Sequence, residues 1–156
     1  MEALLTTLAS SDLATALRFS RWGYAAVNTA HVLGIAVLVG GILPLDLRML
    51  GLWPRVEAEA LHRVLVPMAA AGLVLALATG FLLFAVRPVD YAANVAFLAK
   101  IVLVAIGIAS ALSAHMLWGR SLEHATGSVR VRVGAVSMLC WIGALVAGRM
   151  IAFTGE

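Results

Sequence analysis

His62 and His115 stand at the ends of two separate apolar runs. Two imidazoles at one depth on neighbouring helices are what a b-type haem takes as axial ligands. His62 immediately precedes Arg63 at the start of its run, so the alternative for it is a plain interfacial role. His124 lies among polar residues and reads as solvated. A second group is more unusual. His31, Lys100 and Arg149 are potential cations within apolar runs that hold no acid to pair with them; Asp90 and Glu156 lie in flanking segments. Ionisable groups in such places mark functional sites by default. A haem propionate, a quinone head or a lipid phosphate would resolve the imbalance. The alternative is that Lys100 and Arg149 snorkel to headgroups while His31 donates to a backbone carbonyl. Asn28, one turn before His31, is placed to hydrogen-bond to it.

Asp46 and Arg48 follow the first run. A carboxylate there either orients an imidazole or anchors the helix end in a salt bridge with Arg48. Met49, Met68 and Met116 lie near the same level and raise copper(I) as a soft-ligand alternative, although no MxxM or CxxC spacing accompanies them. Cys140, the single cysteine, reads as a small apolar residue. Neither GxSxG, HExxH nor a glycine-rich phosphate loop is present.

The elements that must position these residues are four apolar runs, at 22–45, 64–86, 92–117 and 133–153. About 20 apolar residues, rising 1.5 Å each, cross a hydrocarbon core of about 30 Å. Hydrophobic residues make up 63% of the 156 and charged residues only 12%, so the excess apolar surface must face lipid. The net charge of +3 is a scatter of arginines at helix ends, and it lacks the basic stripe of a nucleic-acid binder. Residues 1–20 are too weakly apolar to span. They predict an interfacial segment, with Ser11-Asp12 capping a short helix toward Arg18. The Met-Glu start lacks a basic n-region, so no cleaved signal peptide is expected. Pro44 should kink or loosen the end of the first span, and Arg87-Pro88-Val-Asp90 should form a turn. The fold expected is all-α, an antiparallel four-helix membrane bundle forming one domain.

Connections at 46–63 and 118–132 carry Arg48, Arg55, Arg63, Arg120, Arg130 and Arg132, against Arg18, Arg21 and Arg87 on the other face. The positive-inside rule then places both loops in the cytoplasm and both termini outside. In antiparallel hairpins, residues at equal depth are equidistant from the turn. Turns centred near 53–54, 89 and 124–125 put His31 level with Ala76, Ile101–Val102 and Ala147, so Lys100 and Arg149 share its layer. Asp46, His62, His115 and Arg132 fall in a second layer, toward the loops. At about 100° per residue, Lys100, Val104, Gly107, Ala111, Ala114 and His115 share one stripe. Gly134, Ser137, Trp141, Ala144 and Gly148 make a similar face on the last helix, and His62, Ala69, Ala76 and Gly80 on the second. Stripes of small residues either pack closely or leave room for a flat ligand.

Ala30-His-Val-Leu-Gly34, Leu45-Asp-Leu-Arg-Met-Leu-Gly51, Thr79-Gly80, Tyr91 through Lys100, Ser113-Ala-His115 and Gly148-Arg149 carry a resemblance that covers all four spans. In them the chain resembles a family of uncharacterised small bacterial four-span inner-membrane proteins. The layout is distantly similar to cytochrome b561-type and copper-resistance D-type membrane proteins. That similarity implies haem or copper and redox work with quinone. It departs from the two histidine pairs of the cytochromes, since one pair and a lone His31 are present. The expectation is a bacterial inner-membrane subunit for electron transfer or quinone interaction, binding haem b through His62 and His115. Its partner besides the lipid bilayer would then be a quinone or a redox partner protein. The other readings are a copper or small-ligand module and a structural anchor without cofactor.

Overall fold

The computed structural model describes residues 2–119 and 121–154. Arg120, counted above among the loop arginines, and Glu156 lie outside them. Among the described residues seven helices follow one another: α1 Glu2–Ala9, α2 Asp12–Phe19, α3 Arg21–Met49, α4 Ala58–Val86, α5 Pro88–Ala93, α6 Val95–Trp118 and α7 Gly127–Thr154. Four of them, α3, α4, α6 and α7, are long and apolar enough to cross a membrane. The architecture is the all-α antiparallel arrangement expected, with α1 and α2 packed beside α4 and α5 at the face that carries both chain ends.

Local chemistry sets the helix starts. The Ser11 hydroxyl accepts the Ala14 N–H at 3.3 Å, Ser20 that of Gly23 at 3.0 Å, and the Asn94 side chain that of Phe97 at 3.1 Å. The expected turn at 87–90 instead opens the short α5, because Pro88 occupies the first helical position, where its missing N–H is harmless. Pro44 does not end α3, which runs on to Met49. The residue that its ring crowds, four positions back, is Gly40, which faces open space. The last helix begins at Gly127, ahead of the apolar run at 133, and Thr126 Oγ1 accepts the Val129 N–H there at 3.4 Å. Apolar length reports hydrocarbon thickness, and the helices extend beyond it into the headgroup zone.

Packing is uneven. α3 lies against α4 and α7, and α6 lies against α7, whereas no Cα of α4 comes within 8 Å of one of α6. Glycines let α3 and α4 touch backbone to backbone. A Cβ on Gly72 would lie 2.5 Å from the Leu38 nitrogen, and one on Gly34 2.7 Å from that of Ala76. One core cluster joins Leu38, Ala69 and Trp141, with Ile42, Leu73, Val104 and Ile108 around it. A second gathers Ala114, Leu122 and Ala125, so the turn after α6 folds back onto the end of the bundle. Leu122 adopts φ +52°, rare for leucine, and is 3% exposed. Asn94 Nδ2 donates to Thr154 Oγ1 at 3.1 Å and ties the start of α6 to the end of α7.

Candidate functional site: a polar layer near the chain ends

His31 projects from α3 onto α4. Its Nδ1 lies 2.9 Å from the Ala76 carbonyl and 3.1 Å from Thr79 Oγ1. A carbonyl only accepts, so Nδ1 carries the proton and donates, which leaves Nε2 of the neutral ring as an acceptor. The ring fits because α4 has no side chain at Gly80, where a Cβ would be 3.0 Å from His31 Cε1. Among the described residues Lys100 is the one charged group whose field acts on His31. Its stem lies along α7 in the notch left by Gly148, with Cδ 3.5 Å and Nζ 3.6 Å from a Cβ built there. Among the described residues no acid contributes to the surroundings of Lys100.

The layer is therefore only partly the one expected. His31 meets Ala76, the residue the depth arithmetic set opposite it, and Lys100 shares its layer. Arg149 does not turn inward. It is exposed, with its guanidinium 5.1 Å from the centre of the Phe153 ring one turn on. Asn28 is also exposed, and the place expected for it beside His31 belongs to Ala76 and Thr79. Thr79, named in the sequence only as part of the Thr79-Gly80 stretch, lies within a turn of the depth-matched Ala76. Toward the chain ends the layer is roofed by aromatics. Phe84 and Phe97 stack at 5.4 Å with an 8° interplanar angle, and Tyr91 packs on both.

The second layer, toward the loops, is organised differently. Asp46 is 1% exposed, with Ser137 of α7 as its hydrogen-bonding neighbour and Oδ2 without a donor. The salt bridge expected between Asp46 and Arg48 does not form. Arg48 instead donates from Nε to the Val56 carbonyl at 2.8 Å and holds the turn after α3. His62 is 7% exposed and lies within the electrostatic reach of Glu123. Hydrogen bonds from its own amide and from that of Ser121, at 3.0 Å, hold the Glu123 carboxyl below the usual range, with smaller help from His124 and His62. His124 is exposed, as expected. On α6 the buried residue at this level is Ala114, while His115 is half-buried. The methionines do not converge: Met49 packs on Gly134, Met68 is exposed and Met116 is 78% exposed. Among the described residues, no three His, Cys, Asp or Glu side chains gather as a metal site.

Several notches in the small-residue stripes are filled from within the chain. At Gly107 the occupant is the indole of Trp141, whose Cζ2 and Cε2 would lie 3.1 and 3.2 Å from a Cβ, with Cys140 beside it. His31 fills the notch at Gly80, Lys100 that at Gly148 and Met49 that at Gly134.

Fold and site together define an integral membrane protein of four spanning helices, with a polar layer of His31, Thr79 and Lys100 in the half nearer the chain ends. Comparison of the chain with protein-family models, curated protein sequences and solved structures returns no match.

Proposed function

We propose that this four-span protein binds a lipophilic compound with a carbonyl-bearing head, of the quinone class, between His31 and Lys100. The observation that supports the reading is that Lys100 of α6 lies close enough to His31 of α3 for its field to act on the ring, with no acid beside either among the described residues. The ligand supplies what the layer lacks. Its carbonyl oxygen accepts from the Lys100 ammonium, and a hydroxyl of the reduced form donates to His31 Nε2. The aromatic roof of Phe84, Tyr91 and Phe97 offers a ring face to stack on.

The haem-binding form of the reading fits the side chains less well. Of the two readings of the small-residue stripe, room for a flat ligand is not met at Gly107, which holds Trp141, and at the level of His62 α6 buries Ala114 rather than His115. The reading therefore rests on the layer near the chain ends and involves no resident cofactor.

Purified protein in lipid nanodiscs, titrated with a short-chain quinone and followed by tryptophan quenching, provides the test. Losing a charge-assisted hydrogen bond costs about 1.5–3 kcal/mol, so Lys100→Met should weaken binding about tenfold or more. His31→Phe should also weaken it, whereas Arg149→Gln should leave it unchanged. Equal binding by wild type and Lys100→Met rejects the site. A reduced-minus-oxidised absorption spectrum of the same preparation addresses haem directly. A b-type band lost in His62→Ala or His115→Ala would restore the electron-transfer reading.

A further inference from the structure

Two adjoining clefts open at the face that carries the chain ends, and both are walled by Arg18, Val86 and Arg87. The larger, about 520 Å³, continues over Ala9, Pro88 and Asp90. The smaller, about 300 Å³, continues over Tyr24, Leu83 and Tyr91. They exist because the α1–α2 pair folds back beside the end of α4. Arg18 Nη2 donates to the Val86 carbonyl and, at 3.4 Å, to that of Ala9, which fixes the guanidinium across the gap. Those two bonds use one nitrogen. Among the described residues no acceptor takes Nε or Nη1.

Arg87 is held in a similar way. Its Nε lies 2.6 Å from Asp90 Oδ2 in an ion pair, which leaves both terminal nitrogens for another acceptor. Two guanidinium groups against one carboxylate leave a net positive charge at the mouth of an otherwise apolar cleft. The Tyr91 phenol is pushed above its ordinary pKa, first by burial and then by the nearby Tyr24, so it remains a neutral hydroxyl donor beside them. The clefts lie where α4 ends and α5 begins, with Tyr24, Leu83 and Val86 contributed by the ends of two spanning helices and Arg87, Pro88 and Asp90 lying beyond them.

We infer that Arg18 and Arg87 form a binding site for a phosphate group, with the apolar floor of Leu83, Val86 and Pro88 receiving the carbon skeleton that bears it. Guanidinium forks match phosphate oxygens two at a time, whereas a point charge would not. The site is separate from the His31–Lys100 layer and does not depend on it.

The source of the phosphate, lipid headgroup or free anion, is decided by the experiment. Wild-type protein is reconstituted in nanodiscs of phosphatidylcholine with one-fifth phosphatidylglycerol, and co-retained lipid is counted by native mass spectrometry. Isothermal titration with inorganic phosphate is run in parallel. Enrichment of phosphatidylglycerol that falls severalfold in Arg87→Gln supports a lipid headgroup site. A calorimetric signal for inorganic phosphate that the same substitution abolishes supports a site for the free anion. Arg87→Gln leaves the Arg18 anchor in place, and Arg18→Lys keeps the charge while removing the fork, so it should lower retention without unfolding α2. Arg130→Gln removes equal charge from the opposite face and should change nothing. If wild type and Arg87→Gln retain the same lipid and neither responds to inorganic phosphate, or if Arg130→Gln lowers retention equally, the site does not exist.

Discussion

Gly72→Leu should prevent α3 and α4 from docking, and the protein should fail to accumulate as a folded, monodisperse species in detergent. Even the first carbon of the new side chain would lie 2.5 Å from the Leu38 nitrogen and 2.8 Å from the Gly34 carbonyl oxygen. Both are main-chain atoms of a continuous helix, so neither yields by changing rotamer. Overpacking a well-filled interior costs about 1–3 kcal/mol, occasionally more, when side chains can adjust. Gly72→Ala should fall at the upper end of that range, and the full leucine beyond it. The control is Gly40→Ala, six residues along from Gly34 on the same helix. Nothing lies within 4 Å of a Cβ there, so the change should be neutral or stabilising by up to about 1 kcal/mol, from helix propensity. Thermal unfolding followed by circular dichroism should therefore give opposite signs for one substitution at two glycines.

Trp141→Ala should be nearly as damaging for the opposite reason. The indole is 4% exposed, packs with Leu38 and Ala69 and fills the notch at Gly107, so it joins the two halves of the molecule. Removing a buried aromatic of this size costs about 3–5 kcal/mol, through lost burial and the cavity left behind. The cavity would be apolar, and indole added to the solution should restore part of the unfolding midpoint. Trp141→Phe should lose well under half as much. It keeps most of the ring and removes Nε1, which is buried without a hydrogen-bond partner. A midpoint for Trp141→Ala within a degree of wild type would show that the indole does not hold the halves together.

The register of the bundle was legible because hydrocarbon thickness and short turns leave little freedom. His31 reaches Ala76, and Lys100 settles against Gly148, within the tolerance of that arithmetic. Azimuth was harder to read. Arg149 and His115 each lie 100° beyond a small residue, Gly148 and Ala114, that packs against the rest of the protein. The stripes already contained that signal, since a helix cannot turn both neighbours inward. What fills a notch was not legible at all. A glycine at position 107 looks the same in sequence whether an indole, a backbone or a bound macrocycle lies against it. Nor was the Arg18–Arg87 cleft readable. It joins residues far apart in the chain, through a fold-back that apolar periodicity does not record.

Among the described residues α6 buries only Gly107 and Ala114, and α7 is the one spanning helix whose backbone approaches it, while α3 and α4 are locked along their shared glycines. The molecule is thus a rigid half and a loosely held half, with side chains alone bridging the seam between α4 and α6. His31 and Lys100 stand on opposite sides of that seam. On the proposed reading, a compound dissolved in the bilayer would reach them sideways along that seam, without crossing either aqueous surface.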